Sequence, residues 1–308
     1  MVKVRKQILN EIRGSVRQRI TFRFLKTKAR QVIQETPIPR YTRTQAQDNV
    51  RSGYQRLCHI WKTANWIDKT VYELFAKKYS LTTFNTFLKF NQCFMNKKPA
   101  AYWSFDEGEG TTLHDLTKNE NHGSIVGASW QTLPSGKHVL SFDGVDDYVK
   151  IPDSPSLDLT ELTIVAWLKT TQTGTPYFRV FSRRDTAGWD TNPYQFGFRS
   201  NLGTVLLVIG DGSIYNKVEG KTDIRDGKWH FIVGVVTGSE LKVYVDGNLE
   251  ATETQTITPF DYDGYAVIAK AGERFLQGQI CLVTLFDKAL TDEQIKTIYQ
   301  ITKVLFEE

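Results

Sequence analysis

Cysteine is scarce in this chain of 308 residues, and the three cysteines are scattered as Cys58, Cys93 and Cys281. An odd number without paired spacing excludes a disulfide framework, and no two cysteines stand at the short interval of a zinc site. The five histidines show no metal-ligand spacing either. We therefore interpret the cysteines as small, buried apolar residues.

Long apolar runs are also absent. No stretch reaches the roughly 18 apolar residues that a membrane-spanning helix needs, so we expect no membrane span. The opening stretch MVKVRKQILNEIRGS is basic but has neither an apolar core nor a small-residue cleavage site. It does not resemble a secretory signal, and we expect the protein to be made in the cytoplasm.

Catalytic motifs are missing as well. The sequence has no G-x-S-x-G, phosphate-loop or H-E-x-x-H string. Retaining glycoside hydrolysis needs two carboxyl groups about 5 Å apart. Glu107 and Glu109 in FDEGEG stand at alternate positions, but the glycines beside them indicate a loop rather than a strand. We expect no catalytic residues, no enzyme activity and no cofactor.

The charge of the chain is distributed very unevenly. Residues 1–98 hold 21 Lys+Arg and 5 Asp+Glu, a net charge of +16, whereas residues 99–308 hold 18 and 29, a net charge of −11. Such a contrast is typical of two domains with different partners. We predict a basic domain over 1–98, which attracts polyanions or an acidic protein surface, and a second domain over 99–308.

The basic part predicts a small α+β domain, a β-hairpin followed by helices. Val16, Ile20, Phe22 and Phe24 alternate with basic or polar residues, which indicates a strand with one apolar and one basic face. Helical spacing follows in residues 44–90. The candidate anchoring residues, which fit contacts with phosphates or carboxylates, are Arg17, Arg19, Arg23, Lys26, Lys28 and Arg30.

The remainder of the chain predicts an all-β fold. GKWHFIVGVVTGSELKVYVDGNLEATE reads as three strands joined by turns at TGSE and DGN. Alternation places Leu241, Val243 and Val245 on one face of the middle strand and Lys242 and Tyr244 on the other. Many such strands in succession predict a single β-sandwich.

Six blocks of this part carry a family resemblance. In order, they are AYWSFDEGEGTTLHDLTKNENHGSIVG, LSFDGVDDYVKIPDSPSLDL, LTIVAWLKT, GKWHFIVGVV, LKVYVDGNLE and GQICLVTLFDKALTDEQIKTIY. They resemble the successive strands and closing segment of laminin-G-like domains of the concanavalin A-like jelly-roll class. The resemblance implies a jelly-roll sandwich with Trp103, Trp167 and Trp229 in its core. Most members of this class bind glycans or proteins, and some are glycosidases. The closing block also has a capping box, Thr291 with Gln294, which predicts a terminal helix.

Calcium is common in this family, held by an Asp in the first loop and another in the closing strand. By this resemblance, Asp115 is the candidate for the first position, but Cys281 stands at the second. A hard cation prefers oxygen ligands and gains little from a thiol, so we expect no structural calcium. The carboxylates of Asp143, Asp146 and Asp147 are interpreted as turn caps.

The segment SRRDTAGWDTNPYQFGF lies between two strand patterns and combines aromatic with planar polar side chains. Sugar recognition needs aromatic faces for C–H groups and directed hydrogen bonds for hydroxyls. We predict a glycan-binding loop here; the alternative is a surface loop whose Trp189 folds back on the sandwich. The candidate ligand-binding residues are Arg183, Arg184, Asp185, Trp189, Asp190, Asn192 and Tyr194.

The basic part carries a second resemblance. Its residues Thr42, Thr44, Gln45, Ala46, Gln47, Trp61, Trp66, Phe84, Asn85 and Phe87 resemble a domain of tailed-phage and archaeal-virus virion proteins. This implies a structural virion protein, such as a capsid decoration, turret or fibre base, and a location on the virion. Its partners would be viral shell or tail proteins, further copies of itself and a host-surface glycan.

Two alternatives remain open at this point. The basic strand face also fits a nucleic-acid-binding protein that uses residues 1–98 to contact phosphates. The fold class also includes polysaccharide hydrolases, which the missing carboxylate pair disfavours.

Overall fold

The computed structural model of the chain describes residues 99–174, 177–186, 188–303 and 306. The hairpin, helices and anchoring residues predicted for the basic part therefore lie outside the described residues, and the domain boundary after residue 98 stays a prediction. These anchoring residues are Arg17, Arg19, Arg23, Lys26, Lys28 and Arg30. Within the described ranges, no helix is long and apolar enough to cross a membrane.

The described residues form eighteen strands and one helix. In chain order, they are β1 (Pro99–Trp103), β2 (Thr112–Leu113), β3 (Gly123–Val126), β4 (Ser129–Thr132), β5 (His138–Asp143), β6 (Tyr148–Ile151), β7 (Leu162–Lys169), β8 (Phe178–Ser182), β9 (Tyr194–Arg199), β10 (Thr204–Gly210), β11 (Tyr215–Glu219), β12 (Trp229–Val236), β13 (Glu240–Val245), β14 (Asn248–Thr254), β15 (Ala266–Ile268), β16 (Lys270–Ala271), β17 (Arg274–Phe275), β18 (Gln277–Phe286) and α1 (Asp292–Thr302). A short 3-10 turn lies at Pro155–Leu157 between β6 and β7.

The strands form two eight-stranded antiparallel sheets and one small hairpin. Sheet 1 has the order β14-β13-β12-β7-β18-β5-β4, and β1 also pairs with β18. Sheet 2 has the order β11-β10-β9-β8-β15-β6-β3-β2, and β16 pairs with β17. Neighbours such as β7 and β18 are distant in sequence, so chain segments cross repeatedly between the sheets. The all-β sandwich predicted for this part of the chain is confirmed.

Alternation along each strand determines which side chains enter the core between the sheets. Leu241, Val243 and Val245 of β13 enter it, whereas Tyr244 points to the other side of sheet 1, as predicted. The two turns of this meander also lie where TGSE and DGN predict them, between β12, β13 and β14. Gly247 in the second turn has φ +78°, a conformation that glycine adopts without strain.

Aromatic side chains fill the centre of the sandwich. Trp103 stacks on Phe181, and Phe181 stacks on Tyr194, with ring centroids 6.0 Å apart in both pairs. All three side chains are fully buried. Each such side chain contributes a few kcal/mol by leaving water, in line with the usual ~25 cal/mol per Å² of buried apolar surface. The core position implied for Trp103 is therefore confirmed.

The helix α1 covers the outer face of sheet 1. Its N-terminus has the predicted capping box, in which Thr291 and Gln294 satisfy each other's backbone N–H groups. Its apolar residues Ile295 and Ile298 join a second buried cluster with the outward side chains of sheet 1. Trp167 lies within this cluster and donates a hydrogen bond from Nε1 to Thr302 Oγ1 at 2.9 Å. The outer face of sheet 1 is therefore closed by apolar packing.

Candidate functional site

Three of the residues predicted to bind a ligand are buried and support the loop from within. Arg183, Asn192 and Tyr194 have no exposed surface. The Tyr194 hydroxyl donates to the Leu157 carbonyl at 2.5 Å, and burial raises the pKa of Tyr194. Asn192 Nδ2 donates to Ser182 Oγ and to the Arg184 carbonyl, which joins the two ends of the loop.

Arg183 has the most extensive contacts of these three. Its Nη2 donates to the carboxylates of Asp153 at 2.6 Å and Asp158 at 2.7 Å. The same guanidinium donates to the carbonyls of Tyr262 and Gly264 at 2.6 and 2.5 Å. The hydrogen bond from Arg183 holds the pKa of Asp153 below its usual range. The Arg183 side chain therefore joins the loop to two segments that are distant in sequence. It stabilises the position of the loop and does not face solvent.

Arg184 and Asp185 fix the outer part of the loop. Arg184 Nη1 donates to the Thr191 carbonyl at 2.9 Å, and its guanidinium lies 4.8 Å from the Tyr262 ring centre. Asp185 accepts hydrogen bonds from Lys270 Nζ at 2.7 Å, from the Tyr265 hydroxyl at 3.1 Å and from the Gly272 amide at 2.8 Å. The loop is thus clamped to the β16–β17 hairpin on the outer side of sheet 2.

Trp189 lies at the centre of an aromatic cluster, which we define as Tyr177, Trp189 and Tyr215. Its ring centre is 4.7 Å from that of Tyr177 and 4.9 Å from that of Tyr215, both edge-to-face. Lys217 Nζ lies 5.1 Å from the Trp189 ring centre. Tyr215 is 43% exposed, and the other two rings are half-buried. The sequence singled out Trp189 but missed the two tyrosines, which come from the start of β11 and from the residue before β8.

The cluster lies on the outer face of sheet 2. Along β9, Tyr194, Phe196 and Phe198 enter the core, so Gln195 and Gly197 face outward. Gln195 Nε2 donates to the Gly188 carbonyl at 3.0 Å, which places the Trp189 loop over this face. Leu206 and Val208 of β10 also lie outside the core cluster yet are buried, so the face has an apolar floor. At the end of β10, Gly210 lacks a side chain because the carbonyls of Trp189 and Asp190 pass directly over it.

Two arginines with unsatisfied donors flank the aromatic cluster. The guanidinium groups of Arg179 and Arg199 lie 5.7 and 5.4 Å from the Tyr177 ring centre. Arg199 pairs with Glu219 at 3.0 Å, but its buried Nε has no partner among the described residues. Arg179 Nε donates to Gln195 Oε1, and its buried Nη2 likewise has no described partner. Burial, reinforced by the nearby Arg274 and opposed by Tyr177, lowers the pKa of Arg179 to about 9.

Asp190, the last predicted ligand residue, is half-exposed beside Trp189, and its Oδ1 accepts a hydrogen bond from the Thr191 amide at 2.9 Å. The structure therefore divides the predicted set into supporting residues and two residues at the surface of the cluster. Together with the flanking cations, the cluster presents aromatic surface, hydrogen-bond donors and one carboxylate acceptor. This combination suits a polar ligand that also has an apolar face.

The predicted metal ligand Asp115 organises a loop. Its carboxylate accepts hydrogen bonds from the amides of Tyr102, Thr117 and Asn121, all at 2.9 Å, and from Thr117 Oγ1 at 2.8 Å. Its own amide donates to His122 Nδ1 at 3.0 Å. Both carboxylate oxygens therefore already accept two hydrogen bonds each, and the loop is fixed to β1 without a cation.

Cys281, which stands at the family's second calcium position, is fully buried in β18. Burial raises the pKa of its thiol to about 12, partly offset by the neighbouring Lys137 ammonium. Lys137 Nζ itself donates to the Ser104 carbonyl at 2.6 Å and to Asp106 Oδ1. A neutral thiol next to an ammonium group does not fit a calcium ion, which needs oxygen ligands.

Other acidic residues are used in turns and loops. The carboxylates of Asp143, Asp146 and Asp147 lie within 4.8 Å of one another, but Asp147 accepts from the Asp143 amide and Asp143 from the Val145 amide, so they shape the β5–β6 turn. Glu107 and Glu109 lie in a loop, as predicted, and Glu107 Oε1 accepts from the His114 amide at 2.8 Å.

The family model of the concanavalin A-like lectin/glucanases superfamily matches residues 143–296, half of the chain. The chain therefore belongs to this superfamily, and the match includes the whole aromatic cluster. No curated protein matches the sequence significantly. The resemblance of residues 42–87 to virion proteins concerns residues outside both the match and the described structure.

Several solved structures share the fold. Domain 4 of AbnA, a GH43 extracellular arabinanase from Geobacillus stearothermophilus solved with arabinotriose, is 18% identical; the match covers 66% of this chain and 98% of that one, with a TM-score of 0.53. The binding domain of Paraclostridial Mosquitocidal Protein 1 is 11% identical over 65% and 51% of the two chains, with a TM-score of 0.53. The botulinum neurotoxin serotype D binding domain is 15% identical over 66% and 50% of the two chains, with a TM-score of 0.51. The chain thus spans about half the length of these toxin binding domains, and the likeness shows a lectin-like fold.

Proposed function

We propose that the β-sandwich binds a saccharide at the cluster of Tyr177, Trp189 and Tyr215. The observation that carries this proposal is the meeting of three partly accessible aromatic rings, from three separate segments, on a sheet face that α1, the one helix among the described residues, does not cover. The C–H faces of a sugar ring pack on such rings, while Lys217 and Asp190 offer a donor and an acceptor to its hydroxyls.

The fold relatives support a binding role. The arabinanase domain was solved with a bound trisaccharide, and the two toxin domains are named as binding domains. We further propose that this chain binds without hydrolysing its ligand. Support comes from Glu107 and Glu109, which lie in a loop and not at alternate positions of a strand across a cleft.

Substitution of Trp189 tests the binding site. We expect Trp189→Ala and Tyr215→Ala to weaken binding to a glycan array hit by about 10-fold or more, as loss of a central aromatic contact does at other interfaces. Trp130→Ala is the matched control, because Trp130 is an equally half-buried indole on β4 of sheet 1. Equal losses for Trp189→Ala and Trp130→Ala, or no loss for either, would argue against this site.

We also propose that the chain is a structural virion protein that displays this sandwich. The net charge of +16 on residues 1–98 supports anchoring to acidic viral shell or tail proteins, with self-association through the same part of the chain. The anchoring residues are Arg17, Arg19, Arg23, Lys26, Lys28 and Arg30. In this arrangement, the sandwich faces outward and contacts a host-surface glycan.

Charge reversal tests the anchor. The triple change of Arg17, Arg19 and Arg23 to Glu should remove the protein from particles while saccharide binding by the purified chain persists. Normal incorporation of the variant would contradict anchoring. Salt-sensitive DNA binding that this change abolishes, in a protein absent from particles, would favour the nucleic-acid-binding alternative.

A further inference from the structure

The most unusual polar side chain on sheet 2 is Arg179. It lies on β8 opposite Gly197, on the outward side of the sheet, and is only 2% exposed. Among the described residues, its one hydrogen-bond partner is the neutral side chain of Gln195, and the nearby Arg274 adds a second positive charge. A buried cation without a carboxylate partner is costly, because its desolvation is not compensated.

The other buried arginine near this strand, Arg183, has negatively charged partners. Arg183, four residues further along the chain, is also buried and has two carboxylates and two carbonyls around it. Arg179 has no comparable set of partners among the described residues. The difference indicates that the positive charge of Arg179 is retained for something other than the stability of the fold.

Two unsatisfied donors lie near the Tyr177 ring. Among the described residues, six buried side-chain nitrogen or oxygen atoms have no hydrogen-bond partner, and two of them are Arg179 Nη2 and Arg199 Nε. Both guanidinium groups lie within 6 Å of the Tyr177 ring centre, at 5.7 and 5.4 Å. Since buried polar groups are nearly always satisfied, two such donors at one ring are expected where a ligand completes the hydrogen bonding.

We propose that Arg179 and Arg199 recognise an anionic substituent, a carboxylate or a sulfate, on the saccharide that packs against Trp189. This proposal rests on the proposed function and specifies its ligand class. A guanidinium group forms two parallel hydrogen bonds with a carboxylate or sulfate, and such charge-assisted bonds are strong where water is excluded. Arg274 adds positive charge near Arg179, and it also lines a pocket of about 310 Å³ together with Phe178 and Glu273.

Paired polysaccharides that differ only in charge test this ligand class. The full-length chain is titrated with polygalacturonate and with its methyl ester, and with dextran sulfate and dextran; the charged member of one pair or both should bind. Arg179→Met should weaken this binding by at least about 10-fold, the usual size of a lost hydrogen bond to a charged group, without a lower melting temperature. Arg179→Lys keeps the charge but loses the paired geometry and should also bind more weakly. Lys296→Gln removes the same charge from α1, on the opposite side of the sandwich, and should bind like the parent chain.

The outcomes separate this proposal from the binding site itself. If neutral and charged polysaccharides bind equally, and only Trp189→Ala weakens both, the saccharide site stands and the anionic ligand is wrong. If charged polysaccharides bind but Arg179→Met and Lys296→Gln weaken them alike, attraction to net charge explains the result and the proposal is wrong. If no saccharide on these or on an array binds, both the proposal and the saccharide site fail.

Discussion

The two outer faces of the sandwich differ in what lies on them. Sheet 1 presents apolar side chains that α1 covers, and Trp167 is sealed there at 2% exposure. Among the described residues, the outer face of sheet 2 carries a loop, and Trp189 of this loop is half-exposed among tyrosines and cations. The two tryptophans therefore differ in their surroundings. Apolar neighbours bury Trp167, which stabilises the fold, whereas Trp189 is partly exposed and is the centre of the saccharide site that we propose.

The same contrast holds for the two buried arginines of sheet 2. Arg183 joins three segments through carboxylates and carbonyls, and Arg179 lies nearby with an unsatisfied donor. Both are buried, so burial alone does not distinguish the structural Arg183 from Arg179, for which we propose a ligand. Their hydrogen-bond partners distinguish them. Substitutions of the two tryptophans and of the two arginines test this contrast between stability and ligand binding.

The largest effect is expected for the tryptophan pair. Trp167→Ala removes a buried indole and its hydrogen bond to Thr302, which should lower the free energy of unfolding by about 3–5 kcal/mol. Trp189→Ala should lower it by about 1 kcal/mol, close to an average substitution. Urea unfolding of both variants measures the difference. Similar losses would mean that Trp189 belongs to the structural core and not to a site.

The arginine pair should give the next largest difference. Arg183→Met leaves the carboxylates of Asp153 and Asp158 without their partner and should destabilise the chain by about 2–4 kcal/mol. This range lies below that of a fully buried pair because the Asp153 side chain is 42% exposed and partly screened by solvent. Arg179→Met should be neutral or stabilising by about 1 kcal/mol. Thermal unfolding at equal salt compares them, and a strongly destabilised Arg179→Met would assign that arginine to the fold.

The smallest effect is a pH dependence that belongs to sheet 1. His230 contacts Asp246 at 2.9 Å and Asp226 at 3.1 Å. Burial lowers its pKa, but the hydrogen bonds and charges of the two aspartates outweigh burial and raise the pKa above its ordinary value. Its contribution is therefore complete below the unfolded-state pKa of about 6.5 and is lost as pH rises through the folded-state pKa.

We expect this loss to be less than about 1 kcal/mol because the aspartates are partly exposed. Melting temperatures of the parent chain and His230→Asn as a function of pH measure it, and the variant should show a flatter profile as the pH rises above about 6.5, the ordinary histidine pKa. A parent profile as flat as that of the variant would show that the two aspartates do not stabilise the protonated ring.

Local elements of the fold could be predicted from the sequence. The meander β12–β14 follows from alternation and from turn residues such as Gly247, and α1 follows from the Thr291–Gln294 capping box. These features depend on neighbouring residues, whose spacing the sequence states directly. The glycines beside Glu107 correctly predicted its loop position, whereas the core position of Trp103 was predicted correctly from the family resemblance.

The candidate site was predictable only in part. The sequence pointed to the loop that contains Trp189, because aromatic and polar residues are adjacent there. It did not connect this loop with Tyr177 or Tyr215, which lie on other segments, or distinguish the buried Arg183 from the residues near the surface. Contacts between strands depend on sheet order and register, and neither is encoded in local spacing.

The sequence by itself determined the alternation that makes strands, the turns that end them, the cap of α1 and the charge difference between residues 1–98 and the remainder. Only the tertiary structure decided which sheet face α1 covers, and which buried arginine forms ion pairs with carboxylates. The physical reason is that strand patterns and caps are local, whereas burial and pairing of a charge depend on segments brought together from distant parts of the chain. Arg183 meets Asp153 and Asp158 in this way, and Arg179 meets no carboxylate at all among the described residues.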